Sequence, residues 1–176
     1  MSMEKGYFQI YTGNGKGKTT AALGLTVRAV GAGLKVYIGQ FIKNMECSEI
    51  KSLHMRFPEV TVEQYGTKNG CFINREPSKE DIEAAQEGCK KAYFALHSGK
   101  YDIVILDEIN IALFFKTISL EQAMKLANTR PEKVELIFTG RYAPKELIEK
   151  ADLVTEMKEV KHYFEAGVTA RDGIER

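Results

Sequence analysis

Residues 12–20 read Thr12-Gly13-Asn14-Gly15-Lys16-Gly17-Lys18-Thr19-Thr20, and this stretch decides the fold. The residues before it, Tyr7 to Tyr11, have the apolar alternation of a strand. Those after it, from about Gly17 to Val30, have the period of a helix closed by Gly31 and Gly33. A strand, a glycine-rich turn ending in Gly-Lys-Thr and a helix make up the context of a phosphate-binding P-loop. Backbone N–H groups that glycine leaves accessible, added to the positive end of the helix, form a concavity that suits phosphate oxygens. In that setting Gly13, Asn14, Gly15, Lys16, Gly17, Lys18, Thr19 and Thr20 are the expected nucleotide contacts, with Lys18 bridging phosphates and Thr19 offering its hydroxyl to magnesium. One departure stands out. The usual spacing puts the first glycine where this chain has Thr12, and counting from Gly13 leaves one residue too few, so the loop's geometry is expected to differ from that of a common ATPase.

Working outward, Lys35–Phe41 and Val60–Tyr65 read as strands, separated by a helix on which Ile50, Leu53, His54 and Phe57 share a face before Pro58. Ser78 and Asp81 have the spacing of a capping box for a helix whose face is Ile82, Ala85, Cys89, Ala92, Tyr93 and Leu96, ending at Gly99. Tyr101–Leu106 is almost wholly apolar, as in a parallel strand buried on both faces. A second box, Ser119 with Gln122, predicts a helix to about Asn128, Val134–Phe138 a fifth strand, Pro144 a helix to Lys150, and Leu153–Met157 a short sixth strand. Strands alternating with helices predict right-handed crossovers and a mostly parallel sheet with helices on both faces, in one domain over residues 1–176.

Composition narrows the function. A formal charge of +1 supplies no field to collect a polynucleotide or an anionic membrane. No apolar run approaches the ~20 residues needed to span a bilayer, and polar residues lead directly into the first strand, so a cytoplasmic protein with neither nucleic-acid nor membrane partners is expected. Cys47, Cys71 and Cys89 are widely spaced without a C-x-x-C pair, and His54, His97 and His162 share no ligand spacing.

Asp107 and Glu108 follow the apolar strand directly, on the sheet edge where ligands of open α/β folds sit, and an acid there can hold Mg²⁺ directly or through water. A helix cap at Asp107 is the plainer alternative, and which of the two touches metal is open. Arg28 is the only charge between Lys18 and Lys35, aimed at a ligand or carboxylate or else snorkelling off the helix. Arg141, just past the fifth strand, shares the edge of the P-loop. Gly66–Pro77 is a long polar loop in which Cys71, Phe72 and Ile73 either cover a large flat ligand or anchor the loop to the core.

These residues together resemble the ATP:corrinoid adenosyltransferases. The resemblance is carried by Thr12–Ala22, Arg28–Gly31, Gln40–Lys43, Asn74–Glu76, Leu106–Glu108, Thr139–Arg141 and, most specifically, the tail Val160–Glu175. It implies a P-loop NTPase fold of RecA-like type with six mostly parallel strands. It also implies a homodimer, and transfer of the 5′-deoxyadenosyl group of Mg-ATP to the Co(I) of a reduced corrinoid with release of triphosphate, Co(I) coming from a separate electron donor. ATP would lie reversed relative to ordinary P-loop enzymes. Lys16 and Lys18 would act as catalytic cations, Thr19 with Glu108 or Asp107 would hold magnesium, and Arg28 and Arg141 would assist binding. Phe72, Asn74 and Arg75 would form a substrate loop. Six residues precede Tyr7, fewer than in members that use an N-terminal extension to cover the partner's site, and a single aromatic, Phe72, stands where some relatives carry a pair. Read without the tail, the P-loop and the acidic pair also fit a phosphotransferase, an ATPase or a nucleotide-sensing regulatory protein.

Overall fold

The computed structural model describes residues 3–45, 47–68 and 75–175. In chain order the elements are β1 (Phe8–Thr12), α1 (Lys18–Gly31), β2 (Val36–Phe41), α2 (Ser48–Arg56), β3 (Val60–Tyr65) and α3 (Lys79–His97). They continue with β4 (Ile103–Asp107), α4 (Ile109–Phe114), α5 (Leu120–Asn128), β5 (Glu135–Thr139), α6 (Lys145–Lys150) and β6 (Leu153–Glu156), before a 3₁₀ turn at Tyr163–Ala166. The six strands form one sheet in the order β3-β2-β4-β5-β1-β6, every pairing parallel.

Each residue of β2, β4 and β5 is buried, as strands covered on both faces must be. Alternate residues therefore feed two different cores. Val104 and Leu106 join Leu136 and Phe138 beneath α3, α5 and α6, whereas Ile103 and Ile105 join Ile38 and Ile137 beneath α1 and α2, through Ala22, Ala29 and Leu53. Because all strands run the same way, the residues following β1, β2, β4 and β5 emerge on one edge of the sheet. Strand β5 lies between β1 and β4, so the loop-bearing strand and the acid-bearing strand are not neighbours.

Two elements differ from expectation. Helix α2 stops at Arg56, with Phe57 as its C-cap, because Pro58 disfavours a helical conformation in the residue before it. Ile50 and Leu53 are buried while His54 faces solvent. Helix α4 was not expected: its six residues, Ile-Asn-Ile-Ala-Leu-Phe, are apolar on nearly every side and show neither a cap residue nor a polar face for the helical period to register.

Both capping boxes form. Asp81 N–H donates to Ser78 Oγ at 3.3 Å and Ser78 N–H to Asp81 Oδ2 at 2.8 Å, and Ser119 and Gln122 make the same reciprocal pair. Helix α3 then presses against β3 at Gly88, where a Cβ would lie 2.5 Å from Tyr65 Cγ and 2.8 Å from Tyr65 Cβ. The Tyr65 ring cannot retreat, since its hydroxyl is hydrogen-bonded to Tyr37 in the core. Alanine in mid-helix gains about 1 kcal/mol over glycine, but a contact this close to the root of a buried ring costs more. Gly88→Ala is therefore expected to lower unfolding free energy by about 1–2 kcal/mol in urea titration, and unchanged or raised stability would refute the close approach.

Candidate nucleotide site at the carboxyl edge of the sheet

Thr12, in the position expected for the first P-loop glycine, is the last residue of β1; it is buried and its Oγ1 accepts a hydrogen bond from Ala143 N–H at 3.3 Å. The loop proper opens at Gly13, whose φ of 95° falls in the left-handed region, and closes at Gly17, whose φ is 120°. Crowding explains the glycines between. The chain leaving β6 passes behind the loop, so a Cβ on Gly13 or Gly15 would come within 2.5 or 2.7 Å of Met157 O, and Gly15 N–H donates to that same oxygen at 2.6 Å.

Gly15 to Thr20 line a cleft of about 1050 Å³; Gly13 and Asn14, also expected to contact the nucleotide, are not among its lining residues. Lys18 is buried, its Nζ donates to Gly15 O at 2.7 Å, and burial lowers its pKa against the pull of Glu108. Lys16 is exposed and engages the tail, donating to Tyr163 OH at 3.2 Å, Ile174 O at 3.0 Å and Glu175 Oε1 at 3.2 Å. Glu175 also accepts from Arg171 and Tyr163, so one carboxylate folds residues 162–175 over the loop.

The acidic pair has two distinct environments. Asp107, 2% exposed, is held by three donors: Oδ1 accepts from Thr19 Oγ1 at 2.9 Å and Thr139 Oγ1 at 2.6 Å, and Oδ2 from Gln40 Nε2 at 3.0 Å. Glu108 is left-handed, with φ of 60°; its N–H donates to Thr139 Oγ1 at 3.0 Å and its side chain turns into the cleft without capping α4. Burial, and then the neighbouring Asp107 charge, raise the Glu108 pKa to about 7, against the opposing pull of Lys43, Lys18 and Arg141. Lys43, half-buried, lines the same cleft; burial works to lower its pKa, but Asp107 and Glu108 outweigh that and raise it.

Arg141 lines the cleft as expected. Arg28 does not: it is exposed on the last turn of α1, ten residues beyond Lys18 and so about 15 Å along the helix axis. Phe72 and Asn74 lie outside the described residues, as does Cys71. Arg75 Nη1 donates to Asp81 Oδ2 at 2.5 Å, and Thr67 Oγ1 donates to Asp81 Oδ1 at 2.7 Å.

Gln40, Lys43 and Thr139 were not among the expected site residues. Their signal was nonetheless present, because each is a polar residue at or just past the carboxyl end of a strand, and Gln40 pairs in register with Asp107. Phe114 and Tyr142, stacked at 4.3 Å with both rings half exposed, were missed because they come from α4 and from a left-handed turn that no periodicity marks. They separate the cleft from a second cavity of about 580 Å³.

The donors gathered here, the Thr19 hydroxyl and the carboxylates of Asp107 and Glu108, are hard oxygens that suit Mg²⁺. Among the described residues no group of three or more His, Cys, Asp or Glu could hold a metal ion alone. That fits a cation completed by water and substrate phosphates. Among the same residues no helix is long and apolar enough to cross a membrane.

Asp81 gives a test of how the chain beside Arg75 is held. Burial would raise its pKa, but the bonds from Arg75, Ser78 and Thr67 overcome this and hold it at about 2, below the ordinary 3.8. A depressed carboxyl contributes stability above its unfolded pKa and loses it as pH falls through the folded value. Stability should therefore drop between about pH 4 and pH 2, and Asp81→Asn should flatten that drop in acid-unfolding curves. An unchanged slope would exclude the assignment.

A family model described as "ATP:corrinoid adenosyltransferase BtuR/CobO/CobP" matches residues 4–176. The chain is 37% identical over 172 residues to a corrinoid adenosyltransferase of Pseudomonas aeruginosa, covering 98% of this chain and 84% of that protein. It is 36% identical over 177 residues to one of Escherichia coli K12, covering 98% and 86%. It is 33% identical over 177 residues to the corrinoid adenosyltransferase CobA of Salmonella typhimurium, covering 98% and 86%. Among solved structures, the flagellar accessory protein FlaH of Methanocaldococcus jannaschii superposes with a TM-score of 0.57 over 88% of this chain and 72% of that one; at 12% identity it speaks for the fold alone. With the P-loop, the acidic strand end and the folded-back tail in one cleft, the chain belongs to the ATP:corrinoid adenosyltransferase BtuR/CobO/CobP family.

Proposed function

We propose that this enzyme moves the 5′-deoxyadenosyl group of Mg-ATP onto the cobalt of a reduced corrinoid and releases triphosphate. The observation that carries this reading is the convergence of Lys18, Thr19, Asp107 and Glu108 on one cleft in a chain of this family. In the reaction the cobalt(I) electron pair forms a bond to C5′ of ATP. The C5′–O bond breaks, and its electron pair leaves on the triphosphate. No proton is transferred, so no general base is needed, and none of the cleft residues is assigned that role.

The chain's contribution is alignment and charge. Glycine-freed N–H groups of the loop and the start of α1 would hold the polyphosphate, and Lys18, with Lys16 and Arg141, would stabilise the charge that gathers on the leaving group. Thr19 and Glu108 would hold magnesium, which supplies further neutralisation of that charge when bound. Asp107, with both oxygens already accepting bonds, would orient the Thr19 hydroxyl. A corrinoid approaching C5′ requires ATP to lie reversed in the loop. Phe72, Asn74 and Arg75 are proposed to border the corrinoid. A homodimer is proposed as well, supported by the open outer edge of the sheet, where Leu153 and Val154 of β6 are exposed. A separate donor would supply the electron for Co(I), and the enzyme would work in the cytoplasm.

The decisive measurement is product identity with Mg-ATP and chemically reduced cobalamin. Triphosphate with a photolabile alkylcobalamin is expected, whereas ADP or an orthophosphate-only product would end the reading. Lys18→Ala should lower adenosyl transfer at least tenfold, about 1.4 kcal/mol, with folding intact. Glu108→Gln should raise the magnesium concentration needed for half-maximal rate; if Asp107→Asn has that effect and Glu108→Gln does not, the metal contact belongs to Asp107.

A further inference from the structure

We propose that Lys43 is a second phosphate-binding cation, gripping the polyphosphate from the β2 side of the cleft while Lys18 grips it from the β1 side. The inference deepens the reading above and rests on it. Three observations lead to it.

The first is position. In the order β2-β4-β5-β1, the residues after β2 and after β1 lie on either side of the strand that delivers Asp107 and Glu108. Three strand spacings separate β2 from β1, roughly 14 Å. Lys18 and Lys43 thus line the one cleft from opposite sides of the acidic strand end.

The second is backbone strain. Ile42 has a φ of 71°, a conformation that β-branched residues rarely adopt, and it is nonetheless buried in the core, with Lys43 N–H closing the turn on Phe41 O at 2.8 Å. This bend ends β2 abruptly and delivers the next side chain into the cleft. It is held from both sides: Gln40 is bonded to Asp107, and Gln64 donates to Gln40 Oε1 at 2.7 Å and to Met45 O at 2.9 Å. Strain persists where the surroundings over-determine it, and such places concentrate at ligand sites.

The third is pairing. Lys18 and Lys16 both donate to oxygens of the chain, whereas among the described residues no hydrogen bond or ion pair engages the half-buried Lys43 ammonium. A partly desolvated cation is costly without acceptors, and a polyphosphate provides them.

The alternative is that Lys43 only offsets the carboxylates of Asp107 and Glu108. Calorimetric titration of the full-length protein with inorganic tripolyphosphate, in EDTA without divalent cations, separates the two. Lys43→Gln and Lys43→Met are each expected to weaken tripolyphosphate binding at least tenfold, and Lys43→Arg to retain most of it, with adenosine affinity unchanged in all three. In Lys43→Gln/Glu108→Gln the defect should persist. Wild-type affinity in Lys43→Gln, or restoration by Glu108→Gln, overturns the proposal, as does a wild-type protein that fails to bind tripolyphosphate. A wild type that binds tripolyphosphate yet forms no alkylcobalamin would sink the transferase reading while leaving the assignment of Lys43 standing.

Discussion

A single buried carboxylate organises the site. Asp107 receives hydrogen bonds from the first turn of α1, the end of β5 and the end of β2, so one charge ties three elements to β4. Removing a carboxylate from water costs several kcal/mol unless its oxygens accept hydrogen bonds, and here three donors occupy all but one of its four acceptor sites. The arrangement depends on strand order. Because β5 is inserted beside β4, Thr139 reaches Asp107 Oδ1 and also receives the Glu108 N–H. The same insertion leaves Glu108 in a left-handed turn with its side chain in the cleft rather than on the backbone of α4.

The P-loop has a second constraint behind it. Strand β6 adds to β1 in parallel and then runs past the loop, so Met157 O sits where side chains of residues 13 and 15 would go. The loop is thereby backed by chain from the sheet edge, to which Gly15 N–H is itself bonded, and this limits how far it can yield. From the solvent side the tail returns, held by Glu175 to Lys16, Tyr163 and Arg171. The cleft is thus built by residues far apart in sequence, and much of its rim belongs to segments without regular structure.

Those facts explain what was legible beforehand. Strands read correctly because three of them are buried on both faces and show it as apolar runs, and α3 and α5 read correctly because Ser78–Asp81 and Ser119–Gln122 form real capping boxes. The turn between β1 and α1 was placed correctly because glycines and Gly-Lys-Thr separate an apolar alternation from a helical period. Helix α4 escaped because periodicity cannot be seen in six residues buried almost all round. Gln40 escaped because a polar residue in an apolar strand signals a partner without saying which.

The amino-acid sequence by itself determined every element but α4, the parallel sheet, the P-loop turn between β1 and α1 and the membership of a family, since these depend on local propensity, period and short motifs. The tertiary structure alone decided that Thr12 belongs to β1, that Asp107 is held by three donors while Glu108 is presented to the cleft, that Lys43 and Lys18 line the same cleft and that Arg28 stands apart. Each of these follows from which strand lies beside which and how a chain bends between them. Such pairings are set by the packing of distant segments, and no local window of residues contains them.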